Sequence, residues 1–150
     1  MKANIRAVEL AVFESACVAL NLRKTSHIIS RFYAREMRDA PVRGPLFSLL
    51  VMIRKRGSAT ITVLAQDIGL DRTTLTRNLK QLEQRGLIEI VPAAANKKEV
   101  RLLADGEAAL RDALLYWRRT QDKVVRELGE ERWKRMRRDL SAVMALSGRI

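Results

Sequence analysis

Apolar residues recur along most of this chain at three-and-four spacing, the period of a helix with one buried face. Over residues 8–38 the pattern is helical with a break or bend near Ser15, and Val18, Leu22, Ile29, Phe32 and Tyr33 form a broad stripe. A helix of about 20 residues spans about 30 Å, more than one small lobe covers, so a partner along its length is expected. Residues 1–14 read either as helix or as an arm, with Val12 and Phe13 suited to burial. DAPVRGP breaks the pattern, and Pro45 suits the first position of a new helix. Phe47, Leu50 and Val51 face inward there, and Gly57 closes it after RKR, whose cations complement the negative end of the helix dipole. Ser58 and Ala59 fit a very short strand.

Residues 60–86, TITVLAQDIGLDRTTLTRNLKQLEQRG, hold two short helical patterns separated by a few residues. Ile61, Leu64, Ala65 and Ile68 share one face of the first; Thr60 can cap its start and Gly69 can end it in the left-handed conformation. Asp71 reads as the cap of the second helix, where Leu75, Leu79 and Leu82 lie on one side. Thr73, Thr76, Arg77 and Lys80 lie on the other, with no apolar residue among them. Hydroxyls and cations beside small residues are what a helix needs to enter a major groove. An ordinary helical hairpin with a solvated basic face shares this pattern, and the rest of the chain decides between the two.

LIEIV and EVRLL follow, separated by PAAANKK, with Ile88 and Ile90, then Val100 and Leu102, alternating with polar neighbours. This predicts a β-hairpin with a basic tip directly after the second helix, which is a winged-helix arrangement. From Gly106 to Leu128 the helical period returns, with Ala109, Leu110, Ala113, Leu114, Trp117 and Val124 on one side. Gly129 interrupts, and Trp133, Met136, Leu140, Val143 and Met144 mark a final helix. The expected fold is mainly α with a small β-hairpin wing: a winged helix-turn-helix between N- and C-terminal dimerisation helices.

Composition narrows the partner. At 150 residues, 47% hydrophobic and 31% charged, the chain has material for a real core. Its net charge of +12 calls for an anionic partner, nucleic acid before a membrane surface. No apolar run approaches the roughly 18 residues of a membrane span, and the first residues lack a signal-peptide pattern, so a cytoplasmic protein is expected. One cysteine and one histidine exclude a disulfide framework and leave too few soft ligands for zinc. Cys17 and His27 lie about 15 Å apart along one helix, so they form no catalytic dyad within a subunit. Neither paired carboxylates nor a phosphate loop is visible, so no cofactor and no enzymatic activity are expected. Cys17 reads as a small buried apolar residue before it reads as a redox sensor, because Arg23 and Lys24 are nearly two turns away.

With these pieces placed, the chain resembles the MarR family of winged-helix transcriptional regulators from about Cys17 to Leu146. CVALNLRKTSHIISRFY resembles its first dimerisation helix, LAQDIGLDRTTLTRNLKQLEQRGLI its helix-turn-helix, and LLYWRRTQDKVVRELG the long helix after the wing. The resemblance implies dimerisation helices at residues 1–40 and 107–150 and a DNA-reading lobe at residues 45–106. It implies a homodimer on a near-palindromic operator in double-stranded DNA, and repression as the usual role. The DNA-contacting set is expected to be Thr60, Arg72, Thr73, Thr74, Thr76, Arg77 and Lys80, with Asn96, Lys97 and Lys98 from the wing. Arg77 and Thr76 carry the specific contacts in this reading, and Arg72 serves a phosphate.

The wing departs from the family's Asp-x-Arg, Val-x-Leu-Thr-x-x-Gly pattern. Without a gap it aligns as Ala94-Ala95-Asn96 and then Val100 to Gly106, replacing the acid, the arginine and, at Leu103, the threonine. A gapped fit puts Lys97 or Lys98 in the arginine's place. Lysine lacks arginine's planar fork, so this wing is expected to bind DNA more weakly and less selectively. The resemblance also implies a pocket for a small aromatic acid or phenolic effector, with Arg23, His27, Arg31, Tyr33 and Trp117 as its residues and Phe32 as a further flat wall. The competing reading is a sequence-tolerant architectural protein of DNA or RNA, since phosphate neutralisation alone supplies affinity.

Overall fold

A computed structural model describes residues 7–94 and 97–148. Two helices, α1 (Ala7–Ala16) and α2 (Val18–Glu36), meet at Cys17, whose extended backbone interrupts the helix two residues after the break expected at Ser15. The side chain of Asn21 donates to the Cys17 carbonyl at 2.9 Å and holds this corner. Cys17 itself is half-buried. Beyond a buried linker carrying Met37, Ala40 and Val42 comes α3 (Gly44–Arg56). Its N-cap is Arg43, so Pro45 takes the second helical position and not the first; either suits a residue without an N–H.

The strand β1 (Ser58–Thr60) leads into α4 (Ile61–Ile68) and α5 (Arg72–Gln84), and β2 (Ile88–Pro92) and β3 (Lys98–Leu102) form the hairpin. β1 joins that hairpin, making an antiparallel sheet of order β1-β3-β2. Ile88 faces Leu102 and Ile90 faces Val100, so the alternating apolar positions share one face as their spacing predicts. α6 (Ala104–Leu128) begins two residues before Gly106, and Gly129 separates it from α7 (Glu130–Met144), which ends in a short 3-10 turn.

The core sits where α3, α4, α5, the sheet and the start of α6 meet. Leu49, Leu50 and Ile53 of α3, Leu64 of α4, Leu75, Leu79 and Leu82 of α5, and Ile88 and Val100 of the sheet are almost wholly excluded from solvent. Each such side chain stabilises by about 1.5–3 kcal/mol relative to exposure, so the packing of this lobe is concentrated here. The sequence pattern named only Phe47, Leu50 and Val51 on α3, and Val51 is half-buried. Gly106 seats α6 on the sheet: a Cβ there would stand 2.0 Å from the Leu87 carbonyl oxygen. The 19-residue α2 and the 15-residue α7, in contrast, have no buried residue.

Candidate nucleic-acid interface and a neighbouring cavity

The second helix of the pair starts as its sequence requires. Asp71 accepts at Oδ1 from the Thr74 N–H at 2.9 Å and at Oδ2 from the Thr74 hydroxyl at 2.6 Å. The hydroxyl bond, then the backbone bond, holds the Asp71 carboxyl below its usual pKa. Leu75, Leu79 and Leu82 fill the inner face of α5, and Asn78 is buried beside them. On the outer face Arg72, Thr73, Thr76, Arg77 and Lys80 line one shallow, open groove with no carboxylate and no apolar residue in its wall. The structure thus brings five of the expected residues together. Thr74 does not join them: it is half-buried, and both its N–H and its hydroxyl bind Asp71. Thr76 donates its hydroxyl to the Arg72 carbonyl at 2.8 Å, leaving the oxygen lone pairs as acceptors.

The other helix of the pair is held to α3. Thr60 caps α4, accepting from the Val63 N–H at 3.4 Å, and Gly69 ends it at φ 68°, ψ 30°. Arg56 at the end of α3 donates twice to Asp67, at 2.5 and 2.7 Å, and this pairing lowers the Asp67 pKa. Arg54 pairs with Glu107 at 2.7 Å, tying α3 to the first turn of α6. The far end of α5 is tied by Arg85, whose Nη2 donates to the Pro41 carbonyl at 2.6 Å.

Register places the wing relative to this pair. Thr60 stands opposite Glu99 and Pro92 opposite Lys98, so the α4 cap lies toward the hairpin tip. Lys97 and Lys98 are exposed there. Asn96 lies outside the described residues.

A cavity of about 630 Å³ opens between α2, the start of α3, the α4–α5 turn and α6. His27, Arg31, Tyr33 and Trp117 border it, as expected; Arg23, one turn earlier on α2, does not, and neither does Phe32. Phe32 instead makes an edge contact with Tyr33 at 6.3 Å between centroids and lies under the Arg35 guanidinium at 5.3 Å. The remaining wall is largely apolar and includes Met37, Phe47, Ile68 and Leu70. Sequence reasoning missed these four because periodicity assigns such residues to the core. Leu70, an apolar residue just past the helix-ending Gly69, was the available signal. The Tyr33 hydroxyl donates to Gln121 Oε1 at 2.5 Å, and burial raises the phenol pKa, which keeps it a neutral donor. With the Lys123–Glu36 pair, this bond clasps α2 to α6. No carboxylate lines the cavity, so its one firm charge is the Arg31 guanidinium.

Among the described residues no group of His, Cys, Asp or Glu is arranged to hold a metal ion, and no helix is long and apolar enough to cross a membrane.

Comparison with known proteins gives the arrangement its relatives. No curated protein matches the sequence. The transcriptional regulator MosR of M. tuberculosis, solved in complex with DNA, is 33% identical at a TM-score of 0.78, covering 88% of this chain and 96% of its own. A second structure of MosR is 31% identical at a TM-score of 0.80, covering 91% and 99%. Bordetella bronchiseptica BpsR, whose DNA binding is regulated by 6-hydroxynicotinic acid, shares the fold at 17% identity and a TM-score of 0.75, covering 84% of this chain and 92% of its own. The MarR family model matches residues 44–100, from the start of α3 to the middle of β3. A winged helix-turn-helix with a cationic outer face, matched in sequence by that model and over nearly its whole length by DNA-bound MosR, belongs to the MarR family of DNA-binding transcriptional regulators and is not an enzyme.

Proposed function

We propose that the chain acts in the cytoplasm as a homodimeric repressor that reads a near-palindromic operator and is released by a small aromatic anion. The outer face of α5 carries this reading: Arg72, Thr73, Thr76, Arg77 and Lys80 share one open groove free of acidic groups. In it Arg77 and Thr76 reach base edges, Arg72 and Lys80 reach phosphates, and Thr60, Lys97 and Lys98 follow the backbone on either side. Residues 45–106 form the reading lobe; residues 1–40 and 107–150 form the dimer. Support for the dimer comes from α2 and α7, which have no fully buried residue, and from the exposure of Leu10, Phe13, Val18, Ile28 and Met144. Two-fold symmetry then sets half-sites about one turn, ~34–36 Å, apart.

The effector part rests on the cavity beside α2. Tyr33 and Trp117 offer flat apolar walls, and Arg31 suits a carboxylate or phenolate. An effector releases the operator only if it prefers a form that does not fit DNA, since equal affinity for both forms shifts nothing.

The test is a binding titration on a two-fold symmetric operator selected from random DNA, repeated with excess unrelated duplex and with benzoate or 4-hydroxybenzoate. Binding that survives the unrelated duplex and weakens with the acid supports the reading. Equal displacement by any duplex returns the architectural alternative. Binding indifferent to both acids removes the aromatic-anion part.

A further inference from the structure

The wall of the cavity contains the turn that sets the start of α5. Ile68 ends α4, Gly69 turns the chain in the left-handed conformation, and Leu70 follows directly before the Asp71 cap. Ile68 and Leu70 both border the cavity, whereas the Asp71–Thr74 bonds fix where α5 begins. The opposite end of α5 is held by Arg85 to the Pro41 carbonyl, in the linker that follows Met37, another wall residue. A 13-residue helix is stiff, so a shift imposed at its start carries Arg77 with it, and hydrogen bonds to base edges weaken steeply with misalignment.

We infer that an occupant of the cavity acts on DNA binding through the turn at residues 68–70, and that Leu70 is the positioning residue that couples the two. Release then needs no change in the separation of the two reading lobes, because α5 is displaced within its own lobe. The inference deepens the effector reading above and rests on it only for the identity of the natural occupant.

Ala34 on α2 and Ser48 on α3 are small, exposed residues of the same wall, so a larger side chain at either one enters the cavity without any ligand. Ala34→Trp and Ser48→Trp are expected to weaken operator binding about tenfold, within the usual range of coupling between sites. Dimer mass and thermal melting should stay near wild type; if a tryptophan variant does not fold, Ala34→Leu takes its place. Leu70→Ala makes room for the inserted side chain and is expected to restore most of the lost affinity in the double variant. Two unconnected defects would add instead. The inference is overturned if no filled variant weakens operator binding, or if the loss stays the same in the Leu70→Ala background. Failure of benzoate and 4-hydroxybenzoate to bind in calorimetry would refute the effector reading alone, since this cycle uses no ligand.

Discussion

Arg77 and Thr74 are three residues apart on one helix, yet they stand in different surroundings. Arg77 stands in the open groove, and a bidentate bond to guanine from that position discriminates by about 1–3 kcal/mol. Arg77→Ala should therefore cost roughly that much on the operator and little on unrelated duplex, measured by titration on both. Thr74 is spent on Asp71, so Thr74→Ala should lower thermal stability and weaken binding to all sequences alike. The Asp71 carboxylate, like that of Asp67, has its pKa depressed in the fold. Such a group stabilises above the ordinary carboxylate pKa, and the contribution is lost as pH falls through the depressed value. Melting temperature should hold down to about pH 4 and drop below it. Asp71→Asn, which keeps a capping oxygen but cannot titrate there, should flatten that decline. The cap was legible because a short acid ahead of a helical period has one common use. The role of Gly106 was not, because the atom it avoids, the Leu87 carbonyl oxygen, comes from a part of the chain remote in sequence. Gly106→Ala should destabilise by about 1–3 kcal/mol or more in denaturant unfolding, as the α6 start is forced off the sheet.

Among the elements, those made by local chemistry were readable, whereas β1 was read as a short strand without its partner. Thr60 and Asp71 cap the starts of α4 and α5 with their side chains, and Gly69 and Gly86 follow the two helices at positive φ. The pairing of β1 with β3 had no local signal, for three residues are too few to show a period. That pairing sets Thr60 toward the wing tip, the placement on which the proposed backbone contacts of the α4 cap and the wing lysines rest. Phe32 shows the reverse failure: one residue from Tyr33, it was expected to line the cavity, but the 100° turn between neighbours carries it away from a wall that Tyr33 joins. The wing offers cations at the exposed residues Lys97 and Lys98. Lys97→Ala together with Lys98→Ala should weaken binding to every sequence by a similar factor and flatten the salt dependence by up to about two units. A loss confined to one operator position, with the slope unchanged, would make the hairpin a base reader.

For the whole molecule, a lobe with a dense core contrasts with long helices that have no fully buried residue, and the proposed dimer rests on that contrast. The lobe buries Leu49, Leu50, Ile53, Leu64, Leu75, Leu79 and Leu82 without help. α7 leaves Leu140, Val143 and Met144 at least 36% exposed, and α2 leaves Ile28 at 68%, so these helices lack cover of their own. Their length was legible from periodicity; the partner proposed to cover them has no signal of register, because one chain's sequence carries none for an intermolecular contact. A stable dimer would bury these faces and fix the distance between two copies of α5, which a single lobe cannot do. Truncation after Arg138 removes Leu140, Val143 and Met144 together while leaving every core residue of the lobe in place. The shortened chain should sediment as a monomer or precipitate, and any soluble fraction should keep weak, salt-sensitive binding to unrelated duplex. It should lose the preference for two half-sites over one, since that preference comes from linkage of two readers and not from either reader alone. Sedimentation and half-site titration of the same sample separate the outcomes. A truncated protein that remains a dimer and still prefers the paired site would move the interface away from α7.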